Sequence, residues 1–269
     1  MPFADVAGTR LHYLDVGAGD PPVVLLHAFP LHAEMWAPQL ACLSARTRVI
    51  APDLQGFGRS DAPDDRSAYT MDTYAAQVAG LLEHLGVERV VLGGLSMGGY
   101  VAFAFLRRHS EMVAGLVLAD TRAGADTAEV LERRTSQQEV VSRQGAGALV
   151  DTLLAGLLSE HTRETRPELV GQVRGLMANP DAGYIGGLEA MKGRPDATAE
   201  LAGIEAPTLA LVGEHDAASP PDVVRGWQER IPGSRLVVLP RAGHLSNLEA
   251  ADEFNAAADD FLLEVVRGA

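Results

Sequence analysis

Val90-Val91-Leu92-Gly93-Gly94-Leu95-Ser96-Met97-Gly98-Gly99-Tyr100 is the stretch on which the reading of this chain turns. An apolar run enters it and a helical pattern leaves it. Between them stands Gly94-x-Ser96-x-Gly98, the pattern of a nucleophile elbow, placed where a strand turns directly into a helix. Such a turn crowds its own backbone, and side chains beside it would clash; Gly94 and Gly98 remove those clashes. Ser96 is predicted to sit at a strained, positive φ that aims its hydroxyl outward. The Met97 amide would open the helix and face the same space, where it can bind a developing oxyanion.

Working outward, short apolar runs recur on both sides of this turn. Phe3–Val6 and Arg10–Val16 read as strands joined in a hairpin at Ala7-Gly8-Thr9. Val23–Leu26, Arg48–Ala51, Val90–Leu92, Leu116–Leu118, Leu209–Val212 and Leu236–Leu239 read as further strands, the continuous runs suggesting burial on both faces. Helical spacing separates most of them, at Met71–Leu85, Tyr100–Arg108, Asp222–Ile231 and Glu249–Val266. Strands alternating with helices predict an α/β fold with a mostly parallel sheet covered on both faces. From Arg122 to about Thr198 the alternation stops. That segment holds helix-like pieces at Val130–Arg143, Ala148–Leu158, Arg166–Met177 and Gly183–Met191, and is too long for a simple crossover. The chain therefore divides into a core in two parts, residues 1–121 and 199–269, and a helical lid at 122–198.

The elbow pattern is short, and its neighbours give it meaning. Asp216, in Gly213-Glu214-His215-Asp216, follows one predicted strand; His244, in Gly243-His244, follows the next. In a parallel sheet both lie in loops at the carboxyl edge, where ligands bind. Ser96, Asp216 and His244 thus come to one edge in the order Ser, Asp, His. A serine hydroxyl is a weak nucleophile until a base takes its proton, histidine suits that task near neutral pH, and the imidazolium needs a buried carboxylate. Asp120, at the end of the strand Leu116–Ala119, is a rival for the acid. The backbone amides of Phe29, in His27-Ala28-Phe29-Pro30, and of Met97 are the expected oxyanion donors. The side chains of Phe29, Met97 and Tyr100 suit an apolar substrate pocket.

Composition excludes several alternatives. The net charge of −14 carries no basic patch, which argues against nucleic acid and against an anionic membrane surface. Asp53-Leu54-Gln55-Gly56-Phe57-Gly58-Arg59-Ser60 is glycine-rich but lacks the Gly-Lys-Ser/Thr of a phosphate loop, so it reads as structural. The eight histidines are scattered without metal-ligand spacing, and no metal is expected. Cys42, the single cysteine, rules out an internal disulfide and reads as a small core residue. One free cysteine, no apolar stretch of membrane-spanning length, and an N-terminus without a signal-peptide pattern give the expectation of a soluble cytoplasmic protein.

These motifs together resemble the α/β-hydrolase superfamily over almost the whole chain. The matching pieces are His27-Ala28-Phe29-Pro30, Asp53-x-x-Gly56-x-Gly58-x-Ser60, Gly94-Leu95-Ser96-Met97-Gly98-Gly99, Gly213-x-x-Asp216 and Gly243-His244. The resemblance implies an eight-stranded, mainly parallel sheet with a cap inserted after strand six. It also implies Ser96 as nucleophile, Asp216 as acid, His244 as base, the Phe29 and Met97 amides as oxyanion hole, and no cofactor. Within the superfamily the chain looks most like 3-oxoadipate enol-lactonase-like esterases and lactonases and cofactor-free perhydrolases. Ala28 departs from the glycine more usual there. Ser96 in place of aspartate argues against haloalkane dehalogenases and epoxide hydrolases, and Leu95 differs from the Asn-Ser pattern of carbon–carbon bond hydrolases.

The expected function is hydrolysis of small carboxylic esters or lactones through an acyl-enzyme, by a monomer or homodimer. Two alternatives use the same residues: a perhydrolase, in which peroxide replaces water, and a small-molecule receptor with slow turnover.

Overall fold

The computed structural model describes residues 2–268. One eight-stranded sheet runs through it, from β1 (Phe3–Val6), β2 (Thr9–Val16), β3 (Val23–Leu26) and β4 (Val49–Pro52) to β5 (Val90–Leu95), β6 (Val113–Ala119), β7 (Thr208–Gly213) and β8 (Arg235–Leu239). The strand order is β1-β2-β4-β3-β5-β6-β7-β8. β1 and β2 pair antiparallel, as do β2 and β4; the remaining pairs are parallel. Ala7 and Gly8 both have positive φ (51° and 81°), the conformation that a two-residue hairpin requires.

Every residue of β3, β4, β5, β6 and β7 is buried, because helices cover both faces of the sheet. Side chains alternate between two cores. Val24 and Leu26 of β3 join one, Val23 and Leu25 the other. The first core is closed by α2 (Met71–His84), α3 (Met97–His109) and α9 (Pro221–Gln228), through residues such as Tyr74, Val101 and Trp227. The second is closed by α1 (Ala37–Leu43), α10 (Ser246–Glu249) and α11 (Ala251–Gly268), through Leu40, Leu248 and Phe261.

Between β6 and β7 lie α4 (Ala128–Gln144), α5 (Val150–Leu157), α6 (Glu160–Thr165), α7 (Pro167–Leu176) and α8 (Asp181–Lys192). Pro167 opens α7, where its missing N–H is harmless. Three helices have no counterpart in the sequence reading. α6 is a single polar turn and a half, Glu-His-Thr-Arg-Glu-Thr, with no apolar period to betray it; the Ser159 side chain caps it. α1 has seven residues and a proline at its start. The third is α10: the C-terminal helix expected at Glu249–Val266 is α11, and α10 stands just ahead of it, ended at Ala250 (φ −125°, ψ 54°).

Cys42 requires a correction. It is exposed, not a core residue. The buried face of α1 carries Gln39, Leu40 and Leu43, and Cys42 turns away from that stripe.

β3 and β5 are neighbours, and the chain leaves β3 toward β4 on one side and β5 toward β6 on the other. The loops after β3 and β5 diverge there, at the carboxyl edge where open α/β sheets bind ligands.

Candidate active site

Ser96 stands between β5 and α3 with φ 54° and ψ −111°. A side chain held in that region needs the surroundings to enforce it. They do. The Ser96 amide donates to Ala119 O (2.9 Å), and its carbonyl accepts from Gly99 N (3.0 Å) and Thr121 Oγ1 (2.8 Å). The glycines are dictated by space. A Cβ on Gly94 would lie 2.3 Å from the carbonyl of Gly98, and one on Gly98 would lie 2.1 Å from Leu26 O. As the first residue of α3, Met97 has an amide with no intrahelical acceptor.

His244 lies in the loop between β8 and α10. Its Nε2 is 2.8 Å from Ser96 Oγ and its Nδ1 is 2.9 Å from Asp216 Oδ2. The tautomer that satisfies both bonds carries its proton on Nδ1 and accepts the Ser96 hydroxyl at Nε2. Asp216, after β7, is fixed from its other side: Oδ1 accepts from the amides of Ala218 (2.8 Å) and Ser219 (2.9 Å). Burial by itself would raise the Asp216 carboxyl. The His244 charge and hydrogen bond and the Ser219 and Ala218 amides outweigh it and hold the group below the usual carboxylate range. Burial likewise opposes charge on His244, but Asp216 beside it, with Asp120 and Glu249 further off, raises the imidazole above its ordinary value.

Asp120 is fully buried at φ 46° and is not paired with His244. It accepts from Gly213 N (2.8 Å) and bonds Ser246 Oγ (2.5 Å). Burial, then repulsion from Asp216, pushes its carboxyl well above the ordinary value. Of the two acids at this edge, the structure therefore pairs Asp216 with the histidine.

The loop after β3 forms a tight turn, closed by Leu31 N donating to Ala28 O (2.8 Å). His27 props it from beneath. Its Nδ1 donates to Ala28 O (3.0 Å) and its Nε2 accepts from Leu54 N (3.0 Å). Complete burial lowers His27 to about 4, against the Ala28 bond, and the neutral ring matches these donor and acceptor roles. The Phe29 ring packs edge-on to Phe57 and Tyr184, with centroids 6.0 and 5.5 Å away. The glycine-rich loop after β4 wraps around the buried Asp53, which accepts from His12 Nδ1 (2.7 Å), Ala33 N (2.8 Å) and Arg59 N (2.9 Å).

Ser96, Asp216 and His244 thus meet, with the Phe29 turn and the start of α3 beside them. Tyr100 lies one turn further along α3, and its ring carries the Arg194 guanidinium at 4.1 Å. Ser96 is 9% exposed and His244 6%, so the group is nearly closed off from solvent. Two residues that sequence motifs did not single out bind the site loops to the inserted helices. The Glu249 carboxylate accepts from Gly243 N and Ser159 N (both 2.9 Å), beside a bond from Leu245 N to Leu157 O (3.1 Å). Asn179 joins Pro30 to Gly58. The Asn-Pro at 179–180 signals only a turn, and the long sequence separations leave no local trace of either tie. Among the described residues no three His, Cys, Asp or Glu side chains are disposed to hold a metal, and no helix is long and apolar enough to cross a membrane.

The model of the family with the α/β-hydrolase fold matches residues 21–251. An esterase of known structure from Thermogutta terrifontis is 39% identical, with 98% of each chain covered and a TM-score of 0.93. The enol-lactonase from Burkholderia xenovorans is 34% identical over 97% of this chain and 100% of its own, with a TM-score of 0.90. A 2-hydroxy-6-oxononadienedioate/2-hydroxy-6-oxononatrienedioate hydrolase from Pseudomonas putida is 31% identical over 94% of this chain and 91% of its own.

Proposed function

The chain belongs to the α/β-hydrolase family, and from that premise we propose that it is a serine hydrolase of small carboxylic esters or lactones, working through an acyl-enzyme. The observation that carries this reading is the unbroken line Ser96 Oγ–His244 Nε2 and His244 Nδ1–Asp216 Oδ2, at 2.8 and 2.9 Å. Ser96 Oγ attacks the acyl carbon while His244 takes its proton. Asp216, held ionised, stabilises the imidazolium. The amides of Phe29 and Met97 receive the negative charge that builds on the carbonyl oxygen. His244 then protonates the departing alcohol, or in a lactone the ring oxygen that remains tethered to the acyl group. A water deprotonated by His244 releases the acid and restores Ser96.

The names of the Thermogutta and Burkholderia relatives support the choice of ester or lactone. The apolar side chains of Phe29, Met97 and Tyr100 suit the acyl part of such a substrate. Residues 122–198 serve as a cap over this site, on a core formed by residues 1–121 and 199–269. The reaction needs no cofactor, and a single cysteine suits a reducing, cytoplasmic setting. A hydroxyl already engaged by its base favours turnover over a receptor role.

The test is p-nitrophenol release from acetate, butyrate and octanoate esters, with a lactone panel, for wild type and Ser96→Ala. Wild type is expected to turn over and to be labelled at Ser96 by a fluorophosphonate, and Ser96→Ala to do neither. Wild type and mutant equally inert on every ester and lactone, with Ser96 unlabelled, would defeat the proposal.

A further inference from the structure

We propose that Asn179 is a positioning residue for the oxyanion site: from the inserted helical segment it holds the Ala28–Leu31 turn so that the Phe29 amide meets the developing charge. This rests on the acyl-transfer reading of Ser96.

Asn179 lies between α7 and α8. Its Nδ2 donates to Pro30 O (2.8 Å) and to Leu176 O (3.1 Å), and its Oδ1 accepts from Gly58 N (2.7 Å). Both amide hydrogens and the amide oxygen are therefore engaged, which fixes the side chain in one orientation. It ties together three separate pieces: the turn after β3, the loop after β4 and the end of α7.

The turn needs such an anchor at this point. Its Ala28 end is held by the bond from Leu31 N and by His27 beneath it. Pro30 has no N–H, so its own peptide nitrogen cannot donate a bond to secure the other half. Its carbonyl is the polar handle of that half, and Asn179 takes it. The Phe29 amide lies between the two ends, one residue before Pro30. Packing from the same inserted segment completes the restraint, since Tyr184 of α8 stands against the Phe29 ring and donates its hydroxyl to Met177 O (2.8 Å). An oxyanion donor acts in proportion to its preorganisation, so loosening this turn weakens the transition state more than substrate binding.

Two variants separate the parts. Asn179→Ala removes all three bonds. Asn179→Asp keeps the size and the acceptor for Gly58 N, but loses the donor to Pro30 O and sets two oxygens against each other. Both are expected to lower kcat for p-nitrophenyl butyrate by about 10- to 100-fold with KM within about threefold of wild type. Affinity for a trifluoromethyl ketone, which mimics the oxyanion, should fall in parallel, and affinity for butyrate should not. Gln138→Ala is the control: it deletes the bonds from Gln138 Nε2 to Ile185 O and Glu189 Oε2 (both 2.9 Å) and the bond from Lys192 Nζ, loosening α4 against α8 without removing any bond to the turn. It should lower the melting temperature and spare kcat.

Three results overturn the inference. They are both Asn179 variants turning over like wild type, Asn179→Asp doing so alone, or Gln138→Ala losing kcat to the same degree. If wild type is itself inert and Ser96 resists a fluorophosphonate, the acyl-transfer reading falls and this inference with it. An active, labelled wild type with unimpaired Asn179 variants removes this inference only.

Discussion

Replacing Asp216 by asparagine tests the arrangement at its most sensitive point. Asp216 accepts three hydrogen bonds, from the amides of Ala218 and Ser219 on Oδ1 and from His244 Nδ1 on Oδ2. Asparagine has one acceptor oxygen. The two backbone donors are fixed by their loop and claim it, which turns the side-chain NH2 toward His244. The imidazole must then accept at Nδ1 and carry its proton on Nε2, where it can no longer take the proton of Ser96. Flipping the amide restores the tautomer but strands two backbone amides, at ~1–3 kcal/mol each. A total of ~2–6 kcal/mol against the productive arrangement corresponds to about 30-fold to 2 × 10⁴-fold in rate. Loss of the charge that stabilises the imidazolium moves the expectation to the upper part of that range, about 10³–10⁴-fold in kcat.

The assay is the initial rate on p-nitrophenyl butyrate, normalised to active sites, with Asp120→Asn in parallel. Burial and Asp216 already disfavour charge on Asp120. An asparagine there can accept from Gly213 N and donate to Ser246 Oγ, so its kcat should stay within about tenfold of wild type. Asp216→Asn keeping more than about a tenth of wild-type kcat, while Asp120→Asn loses more, would refute the reasoning and give the orienting role to Asp120.

Other outcomes follow from the same geometry. His244 must be neutral to act as base and its pKa is raised, so kcat/KM should rise with pH through a midpoint above 6.5. A midpoint at or below 6.5 for wild type counts against the Asp216 pairing. The folded Asp120 carboxyl holds its proton to higher pH than the unfolded one, which gives it up above about pH 4. Its protonated, folded form is favoured fully below that pH, and stability is lost as pH rises. The melting temperature of Asp120→Asn relative to wild type should therefore climb from acidic to mildly alkaline buffer; a constant difference contradicts the raised Asp120 carboxyl. Gly98→Ala puts a methyl group 2.1 Å from the Leu26 carbonyl oxygen, and backbone cannot swing aside. A destabilisation at or above the upper end of the ~1–3 kcal/mol typical of overpacking is expected in urea unfolding, and wild-type stability and rate would show that the elbow tolerates a side chain.

The sequence by itself determined the sheet and the edge at which chemistry gathers. Continuous apolar runs mark strands buried on both faces, since a period of one residue type over four or five positions needs no partner to be read. Gly94 and Gly98 announce a turn too crowded for side chains, and Asp216 and His244 each stand a few residues past a strand. Local pattern failed where the determinant was length or polarity: the short α1, the all-polar α6 and the outward turn of Cys42. The choice between Asp120 and Asp216 was a tertiary decision. Both follow parallel strands, and only the packing of Asp120 against Gly213 and Ser246 turns it away from His244, while burial and Asp216 disfavour its charge. The ties made by Asn179 and Glu249 are tertiary as well. An asparagine before a proline and a glutamate in a helix carry no mark of the ties they make, because Pro30 and Gly58 for Asn179 and Ser159 for Glu249 lie scores of residues away and meet them only once the inserted helices have settled on the sheet.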